Sequence, residues 1–171
     1  DVMSAAIADC GQAVGARRLP KADVLIDLCS MAVNTQTPLG EVLADRRPQF
    51  LPLTDEVLRV ARRYAERKQQ MNAMDFDDLL LHWKVLLAER PEVRQRLGER
   101  FRHVLVDEYQ DTNKLQGDIV DLLAAVHRNL CVVGDDAQCI YGFRGAHFAN
   151  ILEFETRYPD ARRFDLTVNY R

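Results

Sequence analysis

Two short apolar runs in the second half of the chain each end in acidic residues. Residues 103–106 (HVLV) precede Asp107 and Glu108, and residues 130–133 (LCVV) precede residues 134–136 (GDD). One carboxylate at a strand end can associate with Mg²⁺ while its neighbour polarises a water molecule, which is the chemistry of a nucleotide hydrolase. Acidic residues also end many strands for structural reasons alone, so the spacing by itself leaves both interpretations open.

The two apolar runs are predicted to be buried strands separated by a helix. Both runs are short and rich in β-branched residues, whereas the segment after Thr112 or Asn113, either of which can cap a helix, repeats apolar residues at helical spacing. This order favours a parallel βαβ unit, in which the carboxyl ends of the strands share one edge of the sheet. The residues expected at that edge are Asp107, Glu108, Gly134, Asp135, Asp136 and Gln138.

The first hundred residues are predicted to be mostly helical. Thr54 is a good N-cap for a helix that runs to about Gln70, and Pro91 can open a further short helix. Between them, apolar residues at positions 76, 79, 80, 83 and 87 repeat as one stripe of a helix. We expect that stripe to be buried, with Phe76 and Trp83 in the core.

The predicted fold class is α/β, a parallel sheet preceded by a mostly helical subdomain. Residues 1–100 would form the helical part and residues 101–171 the α/β part, in which a helix around residues 148–152 and a third strand at 163–167 continue the alternation. Three strands leave a sheet edge and apolar surface uncovered. We therefore expect the chain by itself to be marginally stable or to self-associate.

The composition excludes few classes of protein. The 171 residues are 47% hydrophobic and 29% charged, which is ordinary for a globular protein, and no apolar run approaches the roughly 20 residues of a membrane span. No secretion signal begins the chain, so we expect a cytoplasmic protein without a membrane partner. The net charge of −3 shows no basic footprint for nucleic acid, although charge local to a groove can outweigh it. The cysteines lack metal-ligand spacing and are expected to be reduced thiols in or near the core: Cys10, Cys29, Cys131 and Cys139.

Three longer motifs resemble those of superfamily 1 DNA helicases of the UvrD, Rep and PcrA kind. Residues 107–113 (DEYQDTN) and 133–146 (VGDDAQCIYGFRGA) resemble motifs II and III of that family, and residues 166–171 (LTVNYR) are similar to the start of motif IV. Residues 74–80 (MDFDDLL) also resemble a stretch that the family carries before motif II. The resemblance covers about residues 20–171, and it implies part of a RecA-like P-loop NTPase domain with a preceding helical insertion.

The resemblance implies a site for ATP and Mg²⁺. Asp107 would be the Mg²⁺-associated carboxylate, and Glu108 would be the catalytic base and a second candidate for the metal. Gln138 would sense the γ-phosphate, because an amide can donate to a phosphate oxygen and accept from water. Arg171 would stabilise charge that develops on the γ-phosphate, and Tyr170 would stack on the adenine.

The same comparison implies contacts with single-stranded DNA and with duplex junctions. Tyr141, Phe143 and Arg144 would line the DNA path, where aromatic rings stack on bases of any sequence. Family members often have tryptophan at the position of Phe143, so its stacking surface is smaller here. Core packing is the alternative for both aromatic residues. DNA-repair proteins are a further class of expected partner.

The chain lacks a phosphate-binding P-loop. Its lysines are Lys21, Lys68, Lys84 and Lys114, and none follows a glycine as the sequence Gly-x-x-x-x-Gly-Lys-Ser/Thr requires. We expect an internal fragment, inactive alone, of a helicase that the resemblance implies moves 3′ to 5′ and unwinds duplex DNA in repair or replication. The alternatives are an inactive DNA- or partner-binding module, a helicase-like subunit of a helicase–nuclease complex, and a simple Mg²⁺ phosphohydrolase.

Overall fold

The structure is a computed structural model that describes residues 1–11, 13–14, 17–135, 138, 150, 153–166 and 168. The helices are α1 (Val2–Cys10), α2 (Ala22–Thr35), α3 (Leu39–Arg46), α4 (Thr54–Gln70), α5 (Phe76–Glu89), α6 (Pro91–Arg100), α7 (Lys114–Ala124) and α8 (Phe154–Arg157). Short 3₁₀ helices span Pro48–Leu53 and Tyr109–Asp111. The strands are β1 (Ala13–Val14) paired antiparallel with β2 (Arg17–Arg18), and β3 (Val104–Val106) paired parallel with β4 (Leu130–Val132).

Helices α1 to α4 enclose the larger apolar core. Its buried members are Met3, Ala6, Leu25, Leu28, Val42, Leu43, Val57 and Val60. The predicted cap of α4 is wrong, because the helix already includes Thr54 and its N-cap is Leu53. The Thr54 hydroxyl donates to the carbonyl oxygen of Leu51 at 2.6 Å, which closes the preceding 3₁₀ turn instead of capping the helix.

Helix α5 begins at a complete capping box. The Asp75 side chain accepts from the amide of Asp78, and the Asp78 side chain accepts from the amide of Asp75. Lys68 at the end of α4 lies 2.5 Å from the Asp75 carboxylate and 2.6 Å from that of Asp78, so charge pairing reinforces the turn between the two helices. These contacts hold the pKa of Asp75 below its ordinary value despite partial burial.

The predicted buried stripe of α5 is wrong for three of its five members. Leu87 is buried and Leu80 is half-buried against α7, but Phe76 is 86% exposed and Trp83 is 42% exposed. Leu79 is also exposed. Helical spacing predicts that these residues share a face, but it does not reveal whether another element covers that face.

The βαβ unit has the parallel arrangement predicted from the sequence. Val104 pairs with Leu130, and α7 connects the two strands. Asn113 caps α7 through a capping box with Gln116, so of the two predicted capping residues it is Asn113 that does so. The smaller core lies between α5 and α7, where Leu87, Leu115 and Ile119 are buried.

The predicted third strand is not formed where the structure describes it. Residues 163–166 have no strand assignment, and Phe164 and Leu166 are exposed. A strand needs a neighbouring backbone to satisfy its amides and carbonyls, and an apolar pattern alone does not provide one. The helix predicted around 148–152 falls mostly outside the described residues, although Asn150 is helical and α8 follows it.

The β3–β4 surface is partly uncovered within the described part of the chain. Leu105 is 76% exposed, and Cys131 is also exposed, so the prediction of a core thiol is wrong at that position. Cys10 and Cys29 are half-buried free thiols, and burial raises the pKa of Cys29 to about 11. Among the described residues, no helix combines the length and apolar character needed to cross a membrane.

Candidate functional site

Asp107 and Glu108 follow β3 directly and are both exposed. Pairing between the two segments continues past the strands, because the Val133 amide donates to the Val106 carbonyl at 2.8 Å and the Tyr109 amide donates to the Val133 carbonyl at 2.9 Å. The two strand ends are thus tied together on both sides of the acidic pair. The backbone of Asp107 and Glu108 is therefore fixed, while their exposed carboxylates remain accessible to a ligand.

Glu108 adopts a backbone conformation that is unusual for a glutamate. Its φ of 49° and ψ of 44° lie in the left-handed region, which residues with a Cβ visit at a cost. The Glu108 amide donates to the carboxylate of Asp107 at 2.9 Å, which helps to hold this turn. A residue whose backbone is held in a costly conformation at an exposed strand end is typical of functional positions.

Gln110 links the two strand-end loops from a buried position. Its side-chain amide nitrogen donates to Glu108 Oε2 at 2.6 Å, and its amide oxygen accepts from the backbone amide of Asp135 at 3.0 Å. One side chain therefore orients the Glu108 carboxylate and sets its distance from the loop after β4.

Gln138 lies beside the same loop. Its Nε2 donates to the Asp135 carboxylate at 2.8 Å, and its backbone amide donates to the Asp135 carbonyl at 3.1 Å. The side chain is exposed. Because Asp135 accepts from Gln138 and donates to Gln110, a continuous set of hydrogen bonds connects Gln138 to Glu108.

The donor set fits Mg²⁺ only if other ligands contribute. In the part of the chain that the structure describes, no group of three or more histidine, cysteine or acidic side chains could hold a metal ion. Mg²⁺ in nucleotide sites usually takes one or two carboxylates and completes its shell with water and phosphate oxygens. The exposed carboxylate of Asp107, with Glu108 next to it, meets that requirement.

The remaining predicted site residues lie outside the described residues. They are Tyr141, Phe143, Arg144, Tyr170 and Arg171, and Asp136 is outside as well.

The sequence does not predict the buried polar residues beneath the loop. Tyr109 is fully buried, and its hydroxyl accepts from Arg157 at 2.8 Å, while Arg157 also donates to the Asp121 carboxylate at 2.7 Å. Burial raises the pKa of Tyr109 although the arginine opposes that shift. These partners are 48 and 36 residues apart in the chain, and no local pattern indicates such pairs.

A second feature, a cleft, lies at the other end of the strands. It has a volume of about 640 Å³ and runs between the exposed β3–β4 surface and residues 158–162, with His103, Arg128 and Asn129 among its lining residues. Those three side chains belong to the amino ends of the strands and their approaches. The cleft therefore exposes the uncovered face of the sheet and is separate from the acidic edge.

Comparison with known proteins identifies the family to which this arrangement belongs. The family model of the UvrD/REP helicase N-terminal domain matches residues 22–159, which include the acidic edge, the Gln110 bridge and most of the helical core. The chain belongs to this family. The resemblance found in the sequence is thereby confirmed.

Several bacterial proteins are similar to this chain over 108 to 125 residues. The ATP-dependent DNA helicase PcrA of Staphylococcus aureus is 48% identical over 108 residues, which are 63% of this chain and 15% of that protein. PcrA of Staphylococcus epidermidis is 46% identical over 115 residues, 67% of this chain and 16% of that protein. The protein YjcD of Bacillus subtilis is 42% identical over 125 residues, 71% of this chain and 16% of its own length. The matched part of the chain thus spans about one sixth of these UvrD/REP-family relatives.

Proposed function

We propose that this chain is a segment of an ATP-dependent DNA helicase and supplies the water-orienting half of its ATP site. The observation that carries the proposal is the exposed Glu108 carboxylate, held in a left-handed turn and bonded to the buried Gln110, in a chain of the UvrD/REP helicase family. Relatives named ATP-dependent DNA helicases support ATP and DNA as the substrates.

In this mechanism Glu108 orients the water that attacks the γ-phosphate and accepts its proton. Gln110 fixes the direction of the carboxylate, because its short hydrogen bond to Oε2 leaves Oε1 to face the water. Asp107 would hold Mg²⁺, which when bound would neutralise charge on the phosphates. The Gln110 bridge to Asp135 keeps the loop after β4 in register with this site.

Further residues complete the proposal on the strength of the family motifs. Gln138 would sense the γ-phosphate, and its bond to Asp135 would connect nucleotide state to the segment after β4. Arg171 would stabilise charge on the γ-phosphate, and Tyr170 would stack on adenine. The DNA path would include Tyr141, Phe143 and Arg144, through stacking and charge.

The larger architecture is also proposed. Residues 101–171 would be the distal part of a RecA-like motor domain, and residues 1–100 would be a helical insertion. The phosphate-binding loop would come from residues outside this chain, which agrees with a match to only 15% or 16% of each relative. The complete protein would move 3′ to 5′ on single strands and unwind duplexes in DNA repair or replication in the cytoplasm, and the segment alone would be inactive.

The test is ATP hydrolysis by the full-length protein with and without single-stranded DNA. Glu108→Gln should abolish the DNA-stimulated turnover while ATP binding is retained, because the amide keeps the shape and loses the base. Glu89→Gln, an exposed position at the end of α5, is the matched control and should behave as wild type. Turnover that survives Glu108→Gln would refute the role of Glu108, and an inactive wild-type protein would favour the inactive binding module.

A further inference from the structure

Two buried asparagines join helix α2 to the loop that carries Glu108. Asn34 in α2 and Asn113 at the start of α7 are each only 6% exposed. The Asn113 side-chain nitrogen donates to Asn34 Oδ1 at 2.8 Å, across 79 residues of sequence. A buried amide without a partner is costly, so each side chain depends on the other for its position.

The Asn34 amide is held in one orientation by its other contacts. Its Nδ2 donates to Asp77 Oδ1 at 2.8 Å and to the Ser30 carbonyl at 2.9 Å. Because the nitrogen is committed to these acceptors, the oxygen must face Asn113. The contact therefore connects α2, the first turn of α5 and the cap of α7.

Asn113 passes this constraint to the strand-end loop. Its Oδ1 accepts from the Gln116 amide at 2.9 Å, which sets the start of α7. On the other side, Asn150 donates to the carbonyls of Thr112 at 3.1 Å and of Asn113 at 3.2 Å, and the Thr112 hydroxyl donates to the Tyr109 carbonyl at 2.6 Å. Tyr109, Thr112 and Asn113 thus each take part in this set of bonds.

We propose that Asn34 is a positioning residue for ATP hydrolysis. Through Asn113 it holds the 108–113 loop at the distance and angle that place the Glu108 carboxylate, so the helical part of the molecule takes part in the chemistry without touching nucleotide. The inference rests on the proposed function, because it assigns Asn34 to the same site. Hydrogen bonds are directional, and a small displacement of a catalytic group reduces the rate more than it reduces binding.

The chain offers a swap that separates positioning from general stability. Asn34→Asp places a carboxylate against Asp77 and removes the donor between them. Adding Asp77→Asn restores a donor at position 77, and the new carboxylate at position 34 still accepts from Asn113. The matched control is Asn129→Ala, which removes the bond from an exposed asparagine to the Arg102 carbonyl at the opposite end of the strands.

The experiment compares these variants in the full-length protein by steady-state ATP hydrolysis with saturating single-stranded DNA and by amide hydrogen exchange of residues 108–113. Asn34→Asp should lower kcat about tenfold with KM for ATP within about twofold of wild type, and should raise exchange in the loop. The double variant should recover part of both losses, because the donor to the Ser30 carbonyl stays absent, and Asn129→Ala should change neither.

Three results would overturn the inference. The first is that Asn34→Asp has the kcat and the loop exchange of the wild-type protein. The second is that its loss of kcat is fully explained by the fraction of the variant that a thermal melt shows to be unfolded at the assay temperature. The third is failure of Asp77→Asn to restore either measurement. If the wild-type protein shows no ATP turnover, the proposed function fails, and the exchange measurement alone decides whether Asn34 holds the loop.

Discussion

The N-terminal helices and the strand-end loop are stabilised by different kinds of contact. In α1–α4 the buried side chains are apolar apart from Asn34, with Leu43 and Val57 among the apolar ones. Around the loop the buried side chains include Gln110, Asn113 and Asn150, and their amides are bonded to backbone and side-chain partners. Apolar packing gives stability with little directional demand, whereas bonded amides fix angles as well as distances.

The two kinds of contact affect different properties: apolar packing mainly determines the stability of the fold, and bonded amides also determine the geometry of the site. A core of aliphatic side chains can repack after a small change, but a buried amide that loses its partner leaves an unsatisfied group. Changes in the N-terminal core should therefore act mainly on folding, and changes near the loop should act on catalysis as well.

The largest expected effect comes from truncating one leucine in each core. Leu43→Ala and Leu115→Ala should each lower the free energy of unfolding by about 2 to 5 kcal/mol, because both side chains are fully buried. Only Leu115→Ala should also lower kcat for ATP, since Leu115 lies in the first turn of α7 next to its cap. Chemical denaturation and ATPase assays of the full-length variants check this. Equal kcat losses in the two variants would contradict the comparison.

A second effect concerns the contact between α6 and the segment after α7. A Cβ added at Gly98 would clash with a methyl carbon of Val126, so Gly98→Ala should destabilise the protein by about 1 to 3 kcal/mol. Gly40→Ala is the matched control, because the nearest atom to its added Cβ is 3.8 Å away. Thermal melts of both variants test this prediction. Equal melting temperatures would show that α6 can shift to relieve the clash with Val126.

A third effect tests the bridge at the acidic edge. Gln110→Leu removes the bonds to Glu108 and to the Asp135 amide while the volume is nearly kept, so kcat for ATP should fall about tenfold with a smaller change in KM. Gln95→Leu, which removes an exposed bond to Glu99 in α6, is the control. An unchanged kcat in Gln110→Leu would mean that Glu108 is oriented by something else.

The smallest effect is a pH dependence in the N-terminal part. Hydrogen bonds from Arg67 and then Arg63 hold the pKa of Asp9 well below its ordinary 3.8. The charged carboxylate therefore stabilises the fold above that value, and the contribution is lost as the pH falls below it. Asp9→Asn should lower Tm slightly at neutral pH, and the difference should shrink below about pH 4.

The control for this prediction is Asp45→Asn. Asp45 forms an exposed ion pair with its neighbour Arg46, which contributes little. The Tm of Asp45→Asn should equal that of the wild-type protein at every pH. A Tm difference for Asp9→Asn that stays constant down to low pH would contradict the assigned charge interaction.

Local patterns predict the elements of this fold better than their burial. The βαβ unit, the helix opened by Pro91 and the end of α4 at Gln70 follow from periodicity and turn residues. Local patterns do not predict the exposure of Phe76 or the absence of a strand at 163–166, because burial and strand pairing depend on a partner elsewhere in space. Amphipathic spacing indicates a face and does not identify what covers it.

For the candidate site, the sequence by itself determined the acidic residues at the end of β3, the family motifs and the position of Gln138 in the chain. Only the tertiary structure decided that Gln110 joins Glu108 to Asp135 and that Asn34 meets Asn113 from 79 residues away. The physical reason is that strand ends and helix caps follow from neighbouring residues, whereas a hydrogen bond between distant amides forms only after the intervening helices have packed.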